Sequence, residues 1–177
     1  MASNEKMQSR AYLQQQINGG RSALLAVLIL TVVNLVLLVA NQDSYFLFSA
    51  SVPYYLTFFG KLMDNDFGQW PWEKVGTFTI TALVIAAAIL VVFLLCWLLS
   101  KKRYGWLITG LVLFCVDTVA LLLVSVQLGT LTDNIMDLLI HAWAIFQLFQ
   151  GVRCVGALNN LPEEMEPAAP VSPDIEP

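Results

Sequence analysis

The chain has 177 residues, 58% of them hydrophobic and only 12% charged, with a formal net charge of −4. Ordinary soluble domains carry about 25% charged residues, so the soluble classes are set aside and one membrane domain with short tails is expected. Three cysteines without a C-x-x-C pair, and a single histidine, give no disulfide framework, redox pair, zinc site or haem attachment.

The chain opens on a polar stretch carrying Lys6, Arg10 and Arg21. Residues 4–17 predict a helix lying on the membrane surface, with Gly19 and Gly20 breaking it before Arg21 anchors the first span. Apolar runs follow at 22–40, 78–99, 106–128 and 135–155. Each reaches the roughly 20 residues that cross a hydrocarbon core about 30 Å thick, and none shows the polar stripe of a soluble amphipathic helix. No small-residue cleavage site follows Ala40, so the first run is expected to be retained and to serve as the insertion signal.

The connection from about 41 to 77 is rich in aromatics: Tyr45, Phe46, Phe48, Tyr54, Tyr55, Phe58, Phe59, Phe67, Trp70 and Trp72. Ser51 as cap and Pro53 in the first turn predict a short helix over 54–63. Its aromatics place it in the plane of the outer leaflet or across the bundle mouth. The later links are short and make consecutive helices antiparallel neighbours. The expected fold is an all-α, up-and-down four-transmembrane-helix bundle with a short interfacial helix in the first outer loop. Its parts are an N-terminal segment (1–21), the membrane domain (22–158) and an acidic, Pro-rich tail (159–177). The tail holds Glu163, Glu164, Glu166, Asp174 and Glu176 among five prolines and is expected to be disordered. It is either a solvating tail or a docking peptide.

Orientation follows from the basic residues. Lys6, Arg10, Arg21, Lys101, Lys102, Arg103 and Arg153 fall on one side, and only Lys61 and Lys74 on the other. The positive-inside rule then puts both termini and the 101–103 link in the cytoplasm of a multi-pass cell-membrane protein.

Asp117 is the most informative residue, an acid near the middle of the third span where insertion costs about 2.5–3.5 kcal/mol. It reads as an interhelical polar clasp or as a proton or cation relay. Asp137, His141, Ala144, Leu148 and Gly151 form a stripe on the fourth span, and Thr31, Asn34 and Asn41 one on the first. Counting depth along the spans brings Asp117, Asn34, His141, Gln147 and Asp137 into one intramembrane polar core, with Gln147 as the expected partner of Asp117. Asp137, one turn before His141, is placed to set its tautomer. Asp64, Asp66 and Glu73 near Gly68 do not fit the calcium-loop spacing, so no metal is expected. No G-x-S-x-G, P-loop or dinucleotide fingerprint occurs, so no catalytic residue is marked and no cofactor, nucleotide or nucleic-acid partner is implied.

The segments INGGRSALLAVLILTVVNLVLLV, YFLFSASVPYYL and HAWAIFQLFQGVRCVGALNNLPEE, about a third of the chain, resemble the opening and closing parts of a group of small uncharacterised bacterial four-helix membrane proteins. The resemblance implies a bacterial inner membrane and adds no catalytic residue. The leading functional expectation is a non-enzymatic accessory or interaction protein, with lipid, another membrane protein or a second copy of itself as partners. The alternative is a small transporter or proton-coupled permease using Asp117 and His141. An intramembrane enzyme acting on lipid is the third reading.

Overall fold

The computed structural model describes residues 2–42, 44–65 and 71–160, with side chains described from Ser9 onward. The 159–177 tail from residue 161, together with Asp66, Phe67, Gly68 and Trp70, lies outside the described residues. Five helices follow in order: α1 (Ala2–Val39), α2 (Ser51–Asp64), α3 (Thr77–Leu99), α4 (Gly105–Leu128) and α5 (Ile135–Asn159). The described chain is all-helical, and four helices are long and apolar enough to cross a membrane: Ser9–Val39 of α1, with α3, α4 and α5. Val84, Val116, Leu123, Leu139 and Phe146 point away from the bundle along these helices. So broad an apolar surface suits lipid and is foreign to a soluble monomer.

The expected break at Gly19 and Gly20 does not occur, and α1 runs continuously from Ala2. The reason is packing against α5. A Cβ on Gly20 would stand 3.2 Å from the Gln147 carbonyl oxygen and 3.5 Å from the Gly151 Cα. Gly20 and Gly151 thus mark the point where two backbones touch, as small residues do between membrane helices. Ile17, Leu24 and Val27 of α1 join Leu107, Phe114, Ala144 and Leu148 in the buried apolar core, near the end of the bundle that carries Lys101, Lys102 and Arg103.

The opposite end is built around α2. At 14 residues it is about 21 Å long, short of a span. It does not lie across the bundle mouth. Its first residue meets Asp117, about 18 Å along α4 from Gly105, and its last meets the first turn of α3. Between those points it packs against α1, α3 and α4. Gly60 makes the approach to α3 possible, since a Cβ there would come within 2.8 Å of the Ala82 Cβ. The chain therefore leaves α1, turns back along the bundle to mid-depth, and climbs out again as a half-length helix.

Candidate functional site

The head of α2 defines the site. Helices begin with backbone N–H groups that have no partner inside the helix. Here Ser51 and Val52 each donate at 2.8 Å to one oxygen of Asp117, and Pro53 has no N–H to satisfy. The Ala50 N–H donates to Thr31 Oγ1 at 2.7 Å. The whole first turn is thus satisfied inside an apolar bundle, by a carboxylate that also suits the positive end of the helix dipole. Ala50 occupies the cap position rather than Ser51, and its side chain makes no cap. The cap comes from another helix.

His141 stands beside this junction, fully buried and stacked on Phe114 with ring centroids 4.9 Å apart and planes 7° from parallel. Its Nε2 is 3.4 Å from Asp117 Oδ2 and 3.3 Å from Ser51 Oγ. Its Nδ1 is 2.8 Å from the Asp137 carbonyl oxygen and 3.4 Å from Asp137 Oδ1. Asp137 Oδ2 accepts the Tyr45 hydroxyl at 3.0 Å. Burial, then the charge of Asp137, pushes the Tyr45 phenol up, so it stays protonated and donates. Tyr45 continues to Ser49 at 3.1 Å, and Ser49 accepts from Asn34 Nδ2 at 2.8 Å. Asn34 also pairs both ways with the Phe46 backbone. Phe48 holds the tight bend before α2 at φ 71°, a conformation costing about 1–3 kcal/mol in a bulky residue, with its ring against Trp143.

Four of the five expected residues, Asp117, His141, Asp137 and Asn34, thus belong to one connected polar core. Gln147 does not join it. It is only half-buried, and Asp117 is occupied by the α2 backbone and His141 instead. The α5 residues Asp137, His141, Ala144, Leu148 and Gly151 are the buried face of that helix. Sequence reasoning missed Tyr45, Ser49 and Ser51, which lie in or beside an irregular segment where periodicity gives no depth.

It also missed two further caps. Lys61, fully buried, donates to the Leu38 oxygen at 3.0 Å, to the Val39 oxygen at 3.4 Å and to Asn41 Oδ1, at the C-terminal end of α1. Asp64 accepts the N–H groups of Gly76, Phe78 and Thr79 and the Thr79 hydroxyl, at the start of α3. Burial opposes ionisation of Asp64, but those hydrogen bonds outweigh it and hold the carboxyl below its ordinary range.

A pocket of about 290 Å³ opens at this end, lined by Tyr45, Tyr54, Tyr55, Phe58, Leu128, Thr130, Asp133, Asn134 and Asp137. Asp137 is its link to His141. Among the described residues no three metal-ligating side chains converge. Ser51, His141 and Asp137 stand in the order of a hydrolytic triad. Yet Ser51 and His141 are wholly buried, and the N–H groups that would receive an oxyanion are held by Asp117. Comparison of the chain with protein-family models, with characterised proteins and with solved structures finds no match. The resemblance to small bacterial membrane proteins gains nothing from it, and function has to be argued from geometry.

Proposed function

We propose that this chain is a small proton-linked membrane transporter in which His141 and Asp137 carry the proton and Asp117 positions them. One observation carries the reading. A fully buried imidazole stands between two carboxylates, and the one nearer the open end lines a pocket. Ionisable groups at membrane depth are expensive and mark substrate or proton paths. Discontinuous helices whose N-terminal ends stop at mid-depth are a recurring way of building such sites. The apolar core from Leu24 to Phe114 closes the other side, which suits a transporter held in one of its two access states. The basic residues favour a cytoplasmic 101–103 link and cytoplasmic termini, and on that orientation the pocket faces outward.

The accessory-protein reading needs an outward aromatic surface. What weakens it is that Tyr45, Tyr54, Tyr55, Phe58 and Trp72 form a chain of ring contacts with one another. The test is reconstitution into vesicles with an imposed pH gradient and a panel of labelled amines, amino acids, carboxylates and sugars. At least one solute should accumulate in a gradient-dependent way, and folded His141→Asn protein should lose that accumulation. Uptake no greater than in protein-free vesicles, or full uptake by His141→Asn, overturns the proposal.

A further inference from the structure

We infer that the pocket lined by Tyr45, Tyr54, Tyr55 and Phe58, together with Asp133 and Asp137, binds a small organic cation, a primary or quaternary amine. Three observations converge on it. The first is the lining itself: Asp133 and Asp137 are on it, and no lysine or arginine is. An acidic lining without a basic side chain suits a ligand that brings the positive charge itself.

The second is Asp137 itself. It is 3% exposed and lines the pocket; its Oδ2 accepts from Tyr45, while its Oδ1 makes no hydrogen bond and has His141 Nδ1 3.4 Å away. The third is the wall. Tyr45 and Tyr54 meet edge to face at 4.8 Å, Tyr54 and Tyr55 at 5.7 Å, and Tyr54 stacks on Phe58 at 6.4 Å. All four rings line the cavity, and aromatic side chains are one means by which ammonium groups are held. Among the described residues no three His, Cys, Asp or Glu side chains converge as an inorganic cation would ask. The cavity lies at the lower edge of the usual ligand range of about 300–1,000 Å³, so the cation is small.

This inference rests on the transporter reading only for the consequence that the bound cation is the solute moved. Binding is tested on full-length protein in detergent by calorimetry with choline, n-butylamine and 3,3-dimethylbutanol, the uncharged isostere of choline. Choline or butylamine should bind, and the neutral isostere should bind at least about tenfold more weakly. Asp137→Asn and Tyr54→Leu should each weaken choline by about tenfold. Should Asp137→Asn fail to fold, Tyr54→Leu and Asp133→Asn carry the test. Equal binding of choline and its isostere, no binding of either amine, or affinity unchanged across the folded variants overturns the inference. Cation binding without gradient-driven uptake leaves the site standing and removes the transporter. Gradient-driven uptake of another solute, with no amine bound, does the reverse.

Discussion

Replacing Asp117 by asparagine or leucine measures what the carboxylate does for α2. Each of its oxygens accepts one backbone N–H at 2.8 Å, from Ser51 and from Val52. Leucine strands both donors where water does not reach. A stranded buried donor costs about 1–3 kcal/mol, so Asp117→Leu should lose about 2–6 kcal/mol. Asparagine keeps one acceptor and turns an NH2 toward the other N–H, donor against donor. Asp117→Asn should therefore cost about 1–3 kcal/mol, and is not the harmless change that a side-chain clasp with Gln147 would make it. Equilibrium unfolding in mixed micelles reads both values, and hydrogen exchange at residues 51 and 52 locates the loss. Asp117→Leu protein within about 0.5 kcal/mol of the parent, less than the loss of an ordinary helix cap, would refute the capping argument.

Gly20→Leu should separate α1 from α5, because its side chain would have to enter space already held by the Gln147 carbonyl and Gly151; a lowered melting temperature with α3–α4 contacts intact is expected, and an unchanged one refutes the contact. Asp64 has a depressed folded-state pKa, so its contribution is present above the unfolded-state value and is lost as pH falls through the folded one. Acid should thus destabilise the parent more than Asp64→Asn protein, and parallel pH profiles of melting temperature would count against this. Ser51 should not be labelled by a fluorophosphonate, since it is buried and the oxyanion donors are occupied; an adduct at Ser51 would revive the intramembrane hydrolase.

The four long helices were legible because span length and apolarity depend on composition alone, whatever the neighbours. The α5 stripe was legible for a similar reason: a 3.6-residue period places Asp137 and His141 on the face that carries Ala144 and Leu148. Depth counting failed for Gln147. It ranks residues along an axis and says nothing of which face a partner presents. It could not find the partners of Asp117 at all, since they are backbone N–H groups at the start of a helix that turns back into the bundle. Ser51 and Pro53 did announce that helix, but its aromatic residues argued for an interface. Tyr54, Tyr55 and Phe58 contact one another while Phe59 is exposed, and Lys61 and Asp64 tie the helix to the ends of α1 and α3.

Those ties also separate the structural charges from the functional one. Lys61 neutralises the carbonyl end of α1, Asp64 the amide end of α3 and Asp117 the amide end of α2. In each case a charge that would be expensive in an apolar bundle is set against the opposite partial charge of a helix terminus, and both costs fall together. Asp137 differs. It lies in the first turn of α5 and gains from that dipole, but no backbone N–H reaches its Oδ1. Its neighbours are a phenol, an imidazole and a cavity. A carboxylate whose compensation is incomplete in the folded chain is the one free to take a proton or a cation, and here it is also the one at the pocket. The acid deepest in the bundle therefore caps a helix, and in the proposed transport it is the acid nearer the opening that would carry the exchange.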